Sequence, residues 1–310
     1  MKVLKSIIKK SDFVIYVYFR MKMLINRFHF RFNKRRPLVK KFIKNVGYIP
    51  NLKNPKSFNE KIVWLKLHWR DENATQCADK YAVRDYVEKK GEGAILNTIY
   101  GVYDKTSEID FNQLPEKFVL KASHGSGMNI ICTNKDDFNW KSAKKKLDRW
   151  MKVNYYFLNG EWVYRNAKPR IVCEKFIETE DNKPPKDFKI FCFNGIPRFL
   201  FVATDRGEET KFNFYTCEWD EIPVKQHYPI SDEIIEKPEN LEEMLRIARS
   251  LAVGFPQVRI DFYSERGQVI FGEMTFFHFS GTQPFEPVKY DYIFGEYLEL
   301  PDNNYERSIL

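Results

Sequence analysis

Two acidic residues lie within apolar and aromatic runs toward the C-terminal end of the sequence. Asp261 belongs to the run Arg-Ile-Asp-Phe-Tyr at 259–263, and Glu273 belongs to Val-Ile-Phe-Gly-Glu-Met-Thr at 269–275. Both runs alternate with the two-residue period of a strand. Because an isolated buried carboxylate is costly, each acid needs a partner. The candidates are Arg259 nearby and a divalent cation shared by the two acids.

A tight hairpin closed by residues 264–268 is expected to bring these two strands together. Alternation then puts two sets of side chains on common faces: Arg259, Asp261 and Tyr263 in the first strand, and Phe271, Glu273 and Thr275 in the second. Asp261 and Glu273 become diagonal or near-diagonal neighbours on one face. That separation suits one or two Mg²⁺ ions bridged by carboxylates.

A second candidate site is a lysine followed by a glycine-bearing loop. Lys121 ends a predicted strand at 118–121 and leads into Ser123-His124-Gly125-Ser126-Gly127. Glycines allow backbone N–H groups to point at phosphate oxygens, and the lysine adds a positive charge. A plain hairpin loop with a surface lysine has the same pattern. The loop is neither a Walker A motif nor a dinucleotide fingerprint.

A third candidate is the pair Asp187 and Lys189, which alternation places on one face of a strand. The Asn194-Gly195 dipeptide between residues 187–193 and 197–203 is a strong hairpin signal. An ordinary ion pair on a solvated face is the alternative interpretation of these two side chains.

Other elements must position these residues. Ser57 and Glu60 have the spacing of a capping box at the start of a helix, and Asn240 with Glu243 is expected to cap a later helix that leads into Arg259. The remaining pattern predicts a helix at about 79–89, a strand with its connection at 95–103, a helix at about 140–152, and strands at 170–176 and 211–219.

Composition indicates a folded chain of several subdomains, with 310 residues, 43% hydrophobic and 30% charged. No apolar run approaches the roughly 20 residues that span a bilayer, and lysines interrupt the first ten residues too often for a secretory signal. We therefore expect a cytoplasmic protein. The five cysteines form no CxxC pair, which favours reduced core thiols over a zinc site.

The net charge of +9 is unevenly distributed. Residues 1–44 contain 14 Lys and Arg against the single acid Asp12, whereas the other 266 residues contain 37 basic and 41 acidic side chains. Apolar residues such as Phe13, Tyr18 and Leu24 lie among the basic ones. This pattern is typical of a helix in a membrane interface. The alternative is a helix that packs on the body with a solvated basic face.

The order of these pieces resembles the ATP-grasp superfamily, and in particular its TupA-like branch, typified by teichuronopeptide biosynthesis proteins. The resemblance covers about residues 54–297. It rests on the sequences Ser57-Phe58-Asn59-Glu60-Lys61, Asp79-Lys80-Tyr81, Lys121-Ala122-Ser123-His124-Gly125-Ser126-Gly127, Asp187-Phe188-Lys189 and Gly272-Glu273-Met274-Thr275-Phe276-Phe277. It implies an α+β, ATP-grasp fold in which two α/β lobes with antiparallel sheets grip ATP, preceded by N-terminal helices.

The resemblance also implies roles for individual residues. Lys121 and Lys189 would hold ATP phosphates, with Asp187 beside Lys189, and the loop from Ser123 to Gly127 would cover the phosphates. The hinge for adenine would be formed by Glu174, Lys175, Phe176 and Ile177. The Mg²⁺ ligands would be Asp261, Glu273 and Thr275, where Thr275 replaces an asparagine that is common in the superfamily.

The chemistry implied is transfer of the ATP γ-phosphoryl group to a carboxylate, followed by attack of an amine on the acylphosphate. Arg259 is the candidate to steady the transferring group, assisted by Lys189. His124 is either a substrate or phosphate contact or a loop residue without a chemical role. His278 and the loop 280–282 either line the acceptor site or form a simple hairpin exit.

The TupA-like resemblance further implies a uronic-acid-containing glycan or lipid-linked precursor as substrate, with an amine or amino acid as co-substrate and no nucleic acid. Two alternatives stay open: a glycosyltransferase of polysaccharide biosynthesis, against which the lack of Asp-x-Asp counts, and a non-catalytic, membrane-associated nucleotide-binding protein. The protein is expected at the inner face of the cytoplasmic membrane.

The predicted domains are a basic amphipathic arm (1–47), an N-terminal α/β lobe (48–117), a small lobe with glycine loop and hinge (118–178), a large lobe with the metal site (179–300) and a C-terminal tail (301–310).

Overall fold

The computed structural model describes residues 12–180, 183–205 and 209–302. Predictions for residues 1–11 of the basic arm and for 303–310 of the C-terminal tail lie outside this range. The α-helices are α1 Asp12–Phe32, α2 Arg35–Val46, α3 Phe58–His68, α4 Glu72–Ala78, α5 Val83–Lys89, α6 Trp140–Trp150, α7 Tyr156–Asn159, α8 Leu241–Ala252 and α9 Lys289–Glu296. Short 3₁₀ helices lie at Gly93–Ile95, Thr106–Glu108, Phe111–Gln113, Trp162–Tyr164 and His278–Gly281.

The strands form two antiparallel sheets. They are β1 Ile99–Tyr103, β2 Phe118–Ala122, β3 Asn129–Cys132, β4 Ile171–Lys175, β5 Asp187–Phe193, β6 Ile196–Thr204, β7 Lys211–Thr216, β8 Glu221–Ile222, β9 Gln257–Glu265 and β10 Gln268–Thr275. The first sheet has the order β1-β4-β2-β3, and the second has the order β10-β9-β5-β6-β7-β8. Hairpins join β2 to β3, β5 to β6 and β9 to β10, which confirms the three hairpin predictions.

The chain divides into two compact units. The first contains Met1–Leu38, Asp79–Tyr81 and Thr98–Phe176, and the second contains Val39–Ala78, Ala82–Asn97 and Ile177–Leu310. The division into arm, three lobes and tail stays a prediction.

The first unit is built around the four-stranded sheet. Its core gathers side chains from β2, β3 and β4 with Leu147 of α6. Helix α1 packs on the same unit through three side chains one helical turn apart, Tyr16, Phe19 and Met23. These contact a small cluster that includes Ala122 at the end of β2. The helix therefore has an inward face fixed by packing.

The second unit is built around the six-stranded sheet. All seven side chains of β5 are buried, including the charged Asp187 and Lys189. Because both faces of the strand are covered, its sequence is otherwise continuously apolar. Helix α8 lies against β5, β6 and β9 with an apolar face that includes Leu245, Ala248 and Leu251. This packing leads the chain from α8 directly into β9, which carries Arg259 and Asp261.

The segment Ser57-Phe58-Asn59-Glu60-Lys61 holds the start of α3 to the C-terminal part of the second unit. The predicted capping box of Ser57 and Glu60 is present. The backbone N–H of Asn59 donates to Asp291 at 2.9 Å, and Lys61 Nζ donates to the carbonyl oxygens of Gly295 and Leu298 at 2.8 and 2.6 Å. This stretch therefore stabilises the fold around α9.

Two local predictions are wrong. Helix α5 begins at Val83 instead of about residue 79, because the chain makes a turn in which the backbone N–H of Tyr81 donates to Asp79 Oδ1 at 2.8 Å. Asn240 precedes α8 but its side chain does not cap the helix. Its Oδ1 instead accepts a hydrogen bond from Ser264 Oγ at 2.9 Å.

Within the described part of the chain, none of the helices combines the length and apolarity needed to cross a membrane.

Candidate functional site

The β9–β10 hairpin brings the two acidic residues directly opposite each other. Its two turn residues, Arg266 and Gly267, have φ angles of 51° and 72°, as a type I′ turn requires. Along the paired strands, Glu273 lies opposite Asp261 and Thr275 lies opposite Arg259. The expected common face for the two acids is therefore confirmed, with a closer register than a diagonal pair.

A β-bulge at Gly272 produces this register and corrects one expectation. Phe271 pairs with Phe262, and the register then shifts so that Glu273 pairs with Asp261. Phe262 and Asp261 are consecutive and face opposite sides of the sheet, so Phe271 and Glu273 do too. The prediction that Phe271 shares the face of Glu273 is wrong because it assumed uninterrupted alternation.

Asp261 is almost fully buried, at 1% exposure. Its carboxylate pairs with two positively charged side chains, Arg259 and Lys189. Arg259 donates from Nε to Oδ1 at 2.7 Å and from Nη2 to Oδ2 at 2.8 Å. Lys189 of β5 forms an ion pair with the same Oδ2. Burial raises the pKa of Asp261, whereas the charges of Arg259 and Lys189 act in the opposite direction and favour the carboxylate.

Lys189 links two carboxylates. Besides Asp261, its Nζ lies 2.6 Å from Asp187 Oδ2 on the same strand. Both Asp187 and Lys189 are buried, which overturns the alternative of an ion pair on a solvated face. Burying an uncompensated charge is costly, so these groups depend on one another.

Arg259 also contacts the second acid and the threonine. Its Nη2 lies 3.5 Å from Glu273 Oε1 and donates to Thr275 Oγ1 at 3.1 Å, and Thr275 Oγ1 donates to Glu273 Oε1 at 3.2 Å. The side chain of Glu273 is 29% exposed, in contrast to buried Asp261. One guanidinium group thus lies against both carboxylates.

His278 and Gln226 fix the far side of the guanidinium group. Arg259 Nη1 donates to His278 Nδ1 at 2.7 Å, and His278 Nε2 donates to Gln226 Oε1 at 2.7 Å. Burial, followed by the positive charges of Arg259 and Lys189, lowers the pKa of His278 well below its ordinary value. The neutral imidazole therefore accepts from Arg259.

Sequence reasoning missed this role for His278 and did not identify Gln226 at all. The contact joins residues 52 positions apart, and no local pattern marks it. His278 is fully buried beside Arg259 and begins the short 3₁₀ helix that follows the hairpin.

The acidic pair fits a divalent cation that a nucleotide would share. Within residues 12–180, 183–205 and 209–302 there is no group of three or more His, Cys, Asp or Glu side chains placed to hold a metal. Mg²⁺ is commonly held by one or two carboxylates together with substrate phosphates instead of a complete protein cage. Asp261 and Glu273 both contact Nη2 of Arg259, so their carboxylates lie close enough to share one positive group. The pair could therefore supply the two carboxylates of such a Mg²⁺ site.

In the first unit, Lys121 pairs with the first residue of the predicted hinge. Lys121 lies on β2 opposite Val172 of β4, and its Nζ lies 2.7 Å from Glu174 Oε2. Glu174 is buried, whereas Lys175 is exposed and Phe176 is half-buried. The hinge residue Ile177 belongs to the second unit.

The glycine loop has a fixed root and an exposed tip. Ser123 Oγ donates to Asp79 Oδ2 at 2.9 Å, and Lys80 Nζ donates to the carbonyl oxygen of Gly125 at 2.7 Å. At the tip, Ser126 and Gly127 are exposed, and Gly127 has a φ of 72° that favours glycine. Asp79 and Lys80 thus anchor the loop, a role that sequence spacing did not reveal.

His124 lies inside this loop and is buried. Its Nε2 lies 3.1 Å from the carbonyl oxygen of Trp150, and Nδ1 has no hydrogen-bond partner among the described residues. Burial lowers the pKa of His124. The ring therefore supports the root of the loop and does not lie at its exposed tip.

The structure thus distributes the predicted site residues over two units. The first unit holds Lys121, Ser123, His124, Gly125, Ser126, Gly127, Glu174, Lys175 and Phe176, and the second holds Ile177, Asp187, Lys189, Arg259, Asp261, Glu273 and Thr275. Within the second unit, all of these except Ile177 form one connected cluster of ion pairs and hydrogen bonds.

A family model described as "TupA-like ATPgrasp" matches residues 60–299. Since this is most of the chain, the protein belongs to the TupA-like ATP-grasp family and has the ATP-grasp fold, as the sequence motifs predict. No curated protein matches the sequence.

Several solved structures are similar to the chain. D-alanine–D-alanine ligase from Bacillus anthracis complexed with ATP is 16% identical over 64% of this chain and 55% of that chain, with a TM-score of 0.37. L-amino acid ligase from Bacillus licheniformis is 15% identical over 66% and 44%, with a TM-score of 0.40. D-alanine–D-alanine ligase from Helicobacter pylori is 15% identical over 79% and 70%, with a TM-score of 0.41. The chain spans about half the length of the first of these.

Proposed function

We propose that this protein is an ATP-dependent carboxylate–amine ligase. The observation that carries the proposal is the cluster of buried Arg259, Lys189 and Asp261 with partly exposed Glu273 on adjacent strands of a TupA-like ATP-grasp chain. Such a cluster combines positive groups for phosphate oxygens with a pair of carboxylates for Mg²⁺. A phosphoryl-transfer site needs both, because charge is spread over the triphosphate and the attacking oxygen.

The proposed reaction has two steps. A substrate carboxylate oxygen attacks the γ-phosphorus of ATP, the bond from that phosphorus to the bridging oxygen breaks, and ADP leaves. The amine nitrogen then attacks the acyl carbon, the bond from that carbon to the phosphate oxygen breaks, and inorganic phosphate leaves as the amine loses its proton. No nucleophilic side chain is needed, since the substrates supply both attacking atoms.

The residues of the second unit have distinct tasks in this scheme. Arg259 and Lys189 bind and orient the phosphoryl group being transferred, with Asp187 holding Lys189 in place. Asp261, Glu273 and Thr275 would hold Mg²⁺, which supplies positive charge at the phosphate oxygens. Among the remaining predicted residues, Lys121 and the loop Ser123 to Gly127 would bind phosphates, and Glu174 to Ile177 would carry adenine.

The proposed substrates are a uronic acid residue of a surface or capsular polysaccharide, or of its precursor, and an amino acid or other amine. This choice is supported by membership of the TupA-like family. The family is typified by teichuronopeptide biosynthesis proteins.

The test measures ADP release by the purified full-length protein with ATP, Mg²⁺, a panel of uronic acids and a panel of amines. We expect release that requires both a carboxylate and an amine. Asp261→Asn and Glu273→Gln should each abolish it, whereas Glu221→Gln, at an exposed acid on strand β8 of the same sheet, should retain it. Nucleotide turnover that requires a sugar-nucleotide donor, or that survives Asp261→Asn, would overturn the proposal in favour of a glycosyltransferase or another reaction.

A further inference from the structure

Helix α1 has a second, outward face that is apolar over its whole length. The side chains on this face are exposed, reaching 65% for Leu24, 66% for Phe28 and 70% for Phe32. The full set is Phe13, Val14, Val17, Tyr18, Met21, Leu24, Ile25, Phe28 and Phe32. At 3.6 residues per turn these positions occupy a sector roughly 140° wide, so they form one continuous stripe, called here the α1 stripe.

The opposite side of α1 is fully used by the first unit, which fixes the orientation of the stripe. Tyr16, Phe19 and Met23 pack inward, Asn26 Nδ2 donates to the carbonyl oxygen of Phe157 at 2.7 Å, and Phe30 is buried. The outward face is therefore exposed although the helix itself is packed. The contacts of the inward face hold the outward face in a fixed orientation.

Basic side chains border the α1 stripe along both edges. Arg20, Arg27 and Arg31 follow one edge, and Lys22 and His29 follow the other, by the same helical geometry. Long basic side chains beside an apolar helix face are typical of a helix that lies in a membrane interface, where their charged ends meet lipid headgroups.

A second basic element adjoins the same stripe. Helix α6 has the sequence Trp-Lys-Ser-Ala-Lys-Lys-Lys-Leu-Asp-Arg-Trp, and the guanidinium of its Arg149 lies 5.5 Å from the ring centroid of Phe13. Positive side chains from two helices of one unit therefore lie beside the same apolar surface. A partner for this surface must be apolar in its interior and negative where it meets the basic borders.

We propose that the α1 stripe docks on an anionic phospholipid surface. A second copy of this chain is the poorer partner, because a symmetric pair of stripes would bring positive borders together. An anionic bilayer interface meets both requirements, since acyl chains receive the apolar side chains and headgroup phosphates neutralise the borders. This proposal is independent of the proposed ligase activity.

Vesicle cosedimentation of the full-length protein tests the proposal. The probes are vesicles of phosphatidylcholine alone and of phosphatidylcholine with phosphatidylglycerol, at about 0.1 M salt, where the Debye length is about 10 Å. We expect at least ten-fold stronger binding to the anionic vesicles. The double variant Leu24→Glu/Phe28→Glu should lose at least ten-fold of that binding.

Two further variants make the test specific. Arg27→Gln/Arg31→Gln leaves the stripe intact and should weaken binding to anionic vesicles about 30-fold, since each basic residue near the surface contributes about 1 kcal/mol. Ile49→Glu/Ile234→Glu places the same charges on exposed apolar residues elsewhere, at 76% and 93% exposure, and should bind like the wild type.

Absence of binding to either vesicle, or equal binding by the Leu24→Glu/Phe28→Glu variant, would overturn the proposal. A third contrary outcome is a wild-type dimer in light scattering that this variant converts to a monomer, with vesicle binding by neither protein. The last result would assign the stripe to self-association.

Discussion

At the scale of single residues, Arg259 is the centre of the candidate site. It contacts Asp261, Glu273, Thr275 and His278, so four side chains determine the position of one guanidinium group. Burial alone lowers the pKa of Arg259, but the charge and hydrogen bonds of Asp261 outweigh this effect and raise it. Arg259 therefore stays positive inside the sheet.

Replacing Arg259 by lysine should disable the site although the charge is kept. Lysine lacks the planar fork that bonds both oxygens of Asp261, and it cannot reach His278 and Thr275 at once. We expect ADP release to fall by about 10²-fold or more, the size of effect seen when one oriented donor is lost. Arg198→Lys, at an exposed position of β6, is the matched control and should keep full activity. Full activity of Arg259→Lys would remove Arg259 from the mechanism.

Buried His278 should make the free energy of unfolding depend on pH. Its folded-state pKa is lowered well below 6.5, so the unfolded chain binds a proton that the folded chain excludes as pH falls below about 6.5. Its contribution to stability is complete above that pH and is lost on acidification, by up to about 1.4 kcal/mol per pH unit. Arg259, Lys189 and His227 are the charged or titratable groups that disfavour its protonation.

Urea unfolding at pH 7.5 and 5.5 measures this effect. The variant His278→Asn keeps an acceptor for Arg259 but cannot titrate, so it should lose less stability between the two pH values than the wild type. His68→Gln, at the end of α3, should behave like the wild type. An identical loss in wild type and His278→Asn would show that His278 does not exclude the proton.

At the scale of elements, the bulge at Gly272 determines whether the two carboxylates face each other. A Cβ atom at this position would lie 2.9 Å from the backbone oxygen of Asp261, closer than side chains normally pack. The glycine therefore permits β10 to approach β9 while one extra residue turns Glu273 toward Asp261.

Gly272→Ala should destabilise the hairpin and displace Glu273. Overpacking at such a site typically costs about 1–3 kcal/mol, so we expect a lower melting temperature and weaker Mg²⁺-dependent ATP binding. Gly93→Ala is the control, because its Cβ would meet mainly the flexible side chain of Glu88 at 3.3 Å. Wild-type melting and binding by Gly272→Ala would contradict the assigned role of the bulge.

Local sequence signals predicted much of this element structure. The Asn194-Gly195 turn, the alternation in β5 and β9, and the Ser57 capping box each depend on neighbouring residues, so they could be recognised without the fold. The bulge could not be predicted from alternation. Phe271 and Glu273 are two residues apart in the sequence with or without a bulge, so the spacing alone puts them on one face. Contacts such as Lys80 to Gly125 join residues 45 positions apart and depend on tertiary packing.

At the scale of the whole molecule, the cluster proposed to hold Mg²⁺ and the α1 stripe belong to different units. The cluster of Arg259, Lys189, Asp261 and Glu273 lies on the six-stranded sheet of the second unit, whereas the α1 stripe is the outward face of a helix on the first unit. Membrane docking and catalysis should therefore be separable. We expect Leu24→Glu/Phe28→Glu to release ADP from soluble substrates at the wild-type rate, measured in the absence of vesicles. A loss of soluble turnover would show that the stripe also supports the active fold.

The proposed reaction begins with the attack of a carboxylate oxygen on ATP. Its most direct test uses a uronic acid labelled with ¹⁸O in the carboxylate, incubated with ATP, Mg²⁺ and an accepted amine, followed by mass analysis of the released phosphate. An acylphosphate pathway predicts transfer of one carboxylate oxygen to each phosphate released, at the label's enrichment, and none with Asp261→Asn. Unlabelled phosphate from the wild-type reaction would contradict the account.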